Sequence, residues 1–259
     1  MPRFAANLSM MFTEVPFLER FARARAAGFD GVEFLFPYAY DPSEVADALK
    51  AAELTQALFN MAPGDWEGGE RGMAGIPGRE QEFEEGVEQA LHYARVLDCP
   101  RLHCMAGFVP LGVDPAEAER VYTRNLAYAA KRLANEGRTL LIEPINHRDM
   151  PGYLLSRQDH ARGIIERAHL DNLRLQFDIY HCQIVHGDLM RWMQTLMPII
   201  GHVQIADVPE RHEPGSGEIN YPNVLAELER LGYQGWVGCE YRPAGVTEDG
   251  LGWMDTYRR

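Results

Sequence analysis

Leu140-Leu141-Ile142-Glu143-Pro144-Ile145-Asn146 is an apolar run of strand type that ends on a carboxylate, a proline and an amide. A second such stretch, Gly235-Trp236-Val237-Gly238-Cys239-Glu240-Tyr241, comes near the end of the chain. Each sets one glutamate at the last turn of a buried strand. An ionised carboxylate there is costly unless it is paired, hydrogen-bonded or bound to a metal. Alone, either glutamate reads equally well as half of a structural ion pair. Two of them, each ending an apolar strand, point to a site.

Around these two stretches the chain alternates strand and helix. Strands read at residues 3–8, 31–36, 55–60, 101–105, 139–145, 173–178, 202–206 and 236–241. The helices between them read at 16–27, from 41, and at 80–97, 114–136, 157–168, 188–197 and 222–231, with a short last helix after strand eight. Asp41-Pro42-Ser43-Glu44 and Asp114-Pro115-Ala116-Glu117 are helix starts with an N-cap Asp, Pro at the first helical position and Glu at the third. Gly28 and Gly137 follow helix ends, as expected of C′ residues. Eight strand-then-helix units with no linker are the layout of one (β/α)8 TIM barrel over residues 1–259. A doubly wound sheet is the alternative, but it should show a dinucleotide fingerprint or fewer units.

Phase within the strands supports the barrel, because barrel strands alternate between interior and helix ring. Arg174, Gln176 and Asp178 share one phase of strand six; His202, Gln204 and Ala206 share one phase of strand seven. Trp236, Gly238 and Glu240 do so in strand eight, and Leu141 and Glu143 in strand five. The last member of each set lies at the C-terminal mouth, where such barrels keep their chemistry. Asn7, Glu33 and Asn60 hold comparable positions in strands one to three.

Composition excludes several functions. The chain has 259 residues, 46% hydrophobic and 24% charged, with a net charge of −13, so it carries no basic footprint for nucleic acid or an anionic membrane. Its four cysteines (Cys99, Cys104, Cys182, Cys239) are scattered, and no apolar run approaches about 18 residues. The N-terminus lacks a signal layout, and the expected setting is cytoplasmic with reduced thiols. Only Lys50 and Lys131 are lysines, both in helical patterns, which argues against Schiff-base chemistry. The long glycine-rich loop at 61–78 contains no phosphate-binding pattern, so no nucleotide cofactor is expected. It reads as a lid carrying Trp66, Glu70 and Arg71, or else as a plain surface loop.

Glu143, Asp178, Gln204 and Glu240 thus converge at one mouth. Three carboxylates together repel unless a cation or shared protons compensate. An all-oxygen set suits Mg²⁺ or Mn²⁺, whereas zinc prefers imidazole or thiolate. The bland alternative is that Asp178 and Glu240 simply pair with arginines. Strands five and eight lie on different sides of the ring, so Glu143 and Glu240 can flank a small substrate. One would take a proton from the carbon beside a carbonyl while the other returns one, an enediolate route. His181, at the start of the loop after strand six, is placed to contact substrate or to hydrogen-bond within the loop. Arg211 and Arg71 lie in mouth-side loops and can bind an anion bidentately; Asn7 completes the substrate-facing set. The loop at 214–220 shapes the pocket or simply turns the chain.

Asn7-Leu8-Ser9-Met10, Gly31-Val32-Glu33-Phe34, Gly64-Asp65-Trp66, Glu70-Arg71-Gly72 and Ile142-Glu143-Pro144-Ile145-Asn146 resemble the hydroxypyruvate isomerase family. So do Asp178-Ile179-Tyr180-His181, Gln204-Ile205-Ala206-Asp207, Gly215-Ser216-Gly217-Glu218-Ile219-Asn220 and Gly238-Cys239-Glu240-Tyr241, in order along nearly the whole chain. That family belongs to the xylose-isomerase-like barrels, with ketose 3-epimerases, inosose dehydratases and endonuclease IV as relatives. The resemblance implies interconversion of hydroxypyruvate and tartronate semialdehyde. It implies Glu143 and Glu240 as the proton donor and acceptor, and Glu143, Asp178, Gln204 and Glu240 as metal ligands. The ketose epimerases have a histidine where this chain has Gln204, which implies a loosely held or dispensable metal.

Related enzymes act on 2-oxo-tetronates, one carbon longer, and the motifs do not separate the two substrates. A ketose 3-epimerase or sugar dehydratase would use the same enediolate, with a pocket for a longer neutral sugar. An endonuclease IV-like nuclease would need a histidine-rich multi-zinc set and a basic face. A sugar-acid binder without turnover would not need a paired acid and base. A homo-oligomer is compatible with this architecture.

Overall fold

Eight parallel strands close into a barrel in sequence order: β1 (Arg3–Asn7), β2 (Gly31–Phe34), β3 (Thr55–Asn60), β4 (Arg101–His103), β5 (Thr139–Ile142), β6 (Leu173–Asp178), β7 (Ile200–Ile205) and β8 (Trp236–Cys239). The computed structural model describes residues 2–257. Around the barrel run α1 (Arg20–Ala26), α2 (Pro42–Ala51), α3 (Glu80–Val96), α4 (Pro115–Ala134), α5 (Gln158–Ala168), α6 (Ile179–Val185), α7 (Leu189–Leu196) and α8 (Tyr221–Arg230). A 3-10 helix, Thr247–Tyr257, ends the described chain.

The helix starts behave as their sequences require. Asp41 accepts from the backbone N–H of Ser43 at 2.8 Å while Glu44 reaches back to the Asp41 N–H, a complete capping box. Asp114 caps α4 through the N–H of Ala116. The first expected helix is divided: Phe17–Glu19 is 3-10 and only then does α1 begin, with no side-chain cap at either start. Strands β2, β4, β5 and β8 are shorter than expected. In β5 the cause is Pro144, which has no N–H for the ladder and restricts the residue before it. Glu143 and Glu240 are therefore each the first residue beyond a strand.

Two apolar regions result from the alternation. Leu140, Ile142, Leu175, Phe177, Val203, Ile205, Val237 and Cys239 face outward into the main core beneath the helices. Inside the barrel a small plug of Ala5, Ala57 and Trp236 closes the lower end. Gly31 is required there, since a Cβ on it would meet the Trp236 ring at 2.8 Å. Gly238 has a different reason to be glycine. A Cβ there would fall on the carboxylate of Glu33, which reaches across the barrel from β2. Above the plug the interior is polar. Among the described residues no helix is long and apolar enough to cross a membrane.

Candidate active site

Glu143, Asp178 and Glu240 meet at the C-terminal mouth, buried to 4%, 0% and 5% exposure. Glu143 and Asp178 are each held through one oxygen, and Glu240 through both. Asp178 Oδ1 accepts from the N–H groups of Tyr180 (2.7 Å) and His181 (3.2 Å), capping α6. His181 thus sits in the first turn of a helix rather than in a loop. Glu143 Oε2 accepts from Gln176 Nε2 at 2.9 Å, and Glu240 Oε1 from Asn7 Nδ2 at 3.3 Å. Glu143 Oε1 and Asp178 Oδ2 are buried with no hydrogen-bond partner. Glu240 Oε2 accepts from Arg211 Nη2 at 2.8 Å.

Three buried carboxylates this close hold protons tightly. Burial pushes the Glu143 carboxyl well above its usual range, and the charges of Glu240 and Asp178 add to it. Burial likewise carries Glu240 up to about 8 and Asp178 up to about 6, with Arg211 opposing both. Both glutamates therefore hold protons more tightly than free carboxyls and titrate as a coupled pair, the setting in which one proton can be passed between an acid and a base. Burial, reinforced by the Arg211 charge, drives the His181 imidazolium well below its ordinary range, so the ring is neutral.

Below the mouth lies a hydrogen-bonded floor. Glu33 Oε1 accepts from Asn7 Nδ2 (3.1 Å) and Gln204 Nε2 (2.8 Å), and its Oε2 lies 2.6 Å from His202 Nε2. Gln204 Oε1 in turn accepts from Gln176 Nε2 at 2.6 Å. Glu33 is thereby the hub that turns one amide N–H toward each mouth glutamate, through Asn7 to Glu240 and through Gln204 and Gln176 to Glu143. Gln204, expected beside the carboxylates as a ligand, has both amide atoms engaged in this floor. Asn7, expected to face substrate, bridges Glu33 and Glu240.

The loops supply the cation. Arg211 takes a left-handed φ of +61°, which side chains adopt only when the surroundings hold them there. Asp207 does the holding: its carboxylate accepts from the N–H groups of Val208, Gly215 and Ile219. The backbone N–H of Asp207 donates to the carbonyl of His212, and that of Arg211 to the Asp207 carbonyl. The Arg211 guanidinium lies 2.8 Å from Glu240, 3.6 Å from Asp178 and 3.7 Å from Asp149. Arg71 is elsewhere. Its guanidinium stacks 3.8 Å over the Trp66 ring and donates to the carbonyls of Trp66 and Glu70. Glu70 is itself paired with Arg79, so the expected lid is fastened at its base.

Glu143, His181, Arg211 and Glu240 line a cavity of about 130 Å³, closed by Met10, Leu35, Trp66, Met105, Ile145 and Met150. It shares Trp66, Met150, Arg211 and Arg242 with an outer hollow of about 540 Å³, which Arg71 also lines. Sequence reasoning does not single out Arg242, although it stands two residues past Glu240 at the mouth. Its backbone is tied to Arg211 and His212, and its guanidinium has no hydrogen bond or ion pair with any described residue.

The donor set also fits a divalent cation. One donor atom from each of Glu143, Asp178, His181 and Glu240 lies within 4.8 Å of the others. The two unpartnered carboxylate oxygens, Glu143 Oε1 and Asp178 Oδ2, are what a hard cation would satisfy.

This geometry has clear relatives. Residues 21–257 match the model of the xylose isomerase-like TIM barrels. The chain is 54% identical to a 2-oxo-tetronate isomerase of Cupriavidus necator, over 99% of both chains. It is 48% identical to the hydroxypyruvate isomerase of Escherichia coli over the whole of both. A crystal structure described as an AP endonuclease, family 2, from Brucella melitensis superposes with a TM-score of 0.98 at 55% identity, each chain fully covered. A 3-keto-D-glucoside 4-epimerase from Escherichia coli, at 21% identity and a TM-score of 0.82, shares the fold. With carboxylates ending β5, β6 and β8 at one mouth and full-length likeness to these isomerases, the chain belongs to the xylose isomerase-like TIM barrels, in the branch of the hydroxypyruvate and 2-oxo-tetronate isomerases.

Proposed function

We propose that this protein interconverts hydroxypyruvate and tartronate semialdehyde by proton transfer between Glu143 and Glu240. The observation that carries the reading is the pair itself: two buried glutamates with raised proton affinity, each gripped from below by an amide. One glutamate, as carboxylate, takes a proton from C3 of hydroxypyruvate, leaving an enediolate across C2 and C3. The other, as the acid, delivers a proton to C2. The C3 hydroxyl proton passes to the C2 oxygen, so the aldehyde forms at C3 and the secondary alcohol at C2, with no change in overall oxidation state. His181 and Arg211 lie where they can hold the C2 oxygen as charge develops on it.

Glu143, Asp178 and Glu240 would hold a divalent cation, Mg²⁺ or Mn²⁺ by their all-oxygen character. Bound there, the cation would supply Lewis-acid stabilisation of the substrate oxygens. The cluster contains one histidine and the net charge is −13, neither of which suits a multi-zinc nuclease acting on a polyanion.

Arg211 is already committed to three carboxylates, and Arg71 is stacked on Trp66. Arg242 is therefore the anchor we assign to the substrate carboxylate. Arg242→Gln is expected to raise KM for hydroxypyruvate about 10- to 100-fold with little change in kcat, as loss of one charge-assisted contact predicts. An unchanged KM removes Arg242 from substrate binding. A second substrate, 2-oxo-tetronate, is favoured by one feature: the cavity opens past Trp66 and Met150 into the outer hollow, which leaves room for one more carbon.

Proton NMR in D₂O tests the reaction. Hydroxypyruvate should give tartronate semialdehyde carrying solvent deuterium, with sensitivity to EDTA reporting the cation. Turnover of 2-oxo-tetronate alone would keep the glutamate pair and move the substrate. No exchange with either acid would overturn the isomerase reading.

A further inference from the structure

His181 Nε2 faces the cavity 3.6 Å from both Glu143 Oε1 and Asp178 Oδ2, close enough to be counted as a metal donor or as a substrate contact. Which of the two it can be depends on where the ring carries its proton, and that is set on the other side of the ring. Nδ1 lies 2.6 Å from the side-chain amide nitrogen of Asn146, which is fully buried.

The amide has only one admissible orientation. Its Oδ1 receives the backbone N–H groups of Arg148 and Asp149, both at 2.9 Å, and those groups are donors without ambiguity. Its Nδ2 also lies 3.2 Å from the carboxylate oxygen Asp149 Oδ2, an acceptor. Nδ2 is thus the amino group and donates to His181 Nδ1. A nitrogen that accepts cannot carry a proton, so the proton of the neutral ring is on Nε2. The cavity side agrees. Nε2–H faces two carboxyl oxygens, Glu143 Oε1 and Asp178 Oδ2, that have no hydrogen-bond partner of their own. The Arg211 contact to Nε2, at 3.5 Å, is at the limit of hydrogen bonding and does not compete with the shorter Asn146 contact.

We propose that Asn146 is a positioning residue that fixes His181 as the Nε2–H tautomer, a hydrogen-bond donor into the cavity and not a metal ligand. Metal-ligating histidines show the reverse arrangement: the far nitrogen donates its N–H to a carbonyl or carboxylate, which frees the near nitrogen to bind metal. Here the far nitrogen meets a donor. The cation would then rest on Glu143, Asp178 and Glu240 alone, and His181 would meet the substrate oxygen on which charge develops. The role in turnover rests on the isomerase reading; the tautomer does not.

The test reads tautomer and kinetics separately. In the ¹⁵N-labelled protein with EDTA, long-range ¹H–¹⁵N correlation, with His181 assigned by comparison with His181→Gln, should show a protonated Nε2 and a bare Nδ1. A protonated Nδ1 in the wild type would overturn the proposal whatever the substrate proves to be. Asn146→Asp keeps the oxygen that receives Arg148 and Asp149 and replaces the amino group by a second acceptor. It should draw the proton to Nδ1 and lower kcat about 100-fold, more than it changes KM, as loss of one preorganised donor does. If the spectrum switches and kcat does not fall, His181 is not the donor. If kcat falls with the wild-type tautomer retained, Asn146 acts in some other way and the proposal fails.

Discussion

Glu143→Gln and Glu240→Gln should each lower kcat by about 10³-fold or more, the upper range for removing a positioned acid or base, while the metal-free protein becomes more stable at pH 8. The two effects have one cause. Burial and the neighbouring carboxylates make the folded state hold protons that the unfolded chain releases at pH ~4.3. For Glu240 the folded value is about 8. A carboxyl whose folded pKa is raised contributes stability in full only below the unfolded value, and loses it as pH rises through the folded one. The wild type in EDTA should therefore lose stability between about pH 4.5 and pH 8, and either glutamine variant should lose less. The Glu143→Gln side chain keeps an oxygen for Gln176 Nε2, and that of Glu240→Gln keeps one for Asn7 Nδ2, so the floor survives the change. Calorimetry at pH 5.5 and 8, beside single-turnover rates, checks both halves. Turnover within tenfold of wild type in either variant would end the two-carboxylate mechanism, and equal pH slopes would end the account of its electrostatic origin.

The barrel and its mouth are legible in the sequence because both rest on short-range signals. Strand β6 and the caps Asp41 and Asp114 are written in local sequence, and the inward phase of Gln176, Gln204 and Gly238 follows from a period of two. The convergence of Glu143, Asp178 and Glu240 needs only the rule that strand ends meet at one face. What sequence does not reveal is what those side chains do once they are there. Gln204 reads as a ligand because its phase is right. In the barrel Glu33 crosses from β2 and takes the Gln204 amide into the floor instead, an interaction 171 residues apart in sequence. The start of α6 escapes the sequence for a related reason. Ile179-Tyr180-His181 has no helical pattern of its own, and the turn begins because Asp178 turns back to cap it. Arg71 has the right residue type in the right loop, yet a neighbouring Trp66 ring claims its guanidinium. Such choices among partners are settled in three dimensions, and residue type alone does not carry them.

Arg211→Met should show how much of the site depends on one guanidinium. That group stands among Glu240, Asp178 and Asp149 with only 15% of its side chain exposed. Taking one partner from a buried ion pair costs about 3–5 kcal/mol, because the remaining charge is left uncompensated. The metal-free variant should lose stability of that order at pH 8. The loss should shrink toward pH 5, where the carboxylates can take up protons instead. Methionine preserves most of the packing against Tyr180, over which the guanidinium now lies at 5.0 Å. A divalent cation and Arg211 would share two carboxylates, Asp178 and Glu240, so each relieves part of the repulsion that the other would relieve. Mn²⁺ should therefore raise the melting temperature of Arg211→Met more than that of the wild type, and more at pH 8 than at pH 6, since ligands must be deprotonated to bind. Turnover should not recover with the metal, because the cation would replace the charge of Arg211 and not its hydrogen bonds to the substrate oxygen. A variant as stable as wild type in EDTA at pH 8, or one whose response to Mn²⁺ is no larger, would show that the carboxylates are balanced by something other than Arg211.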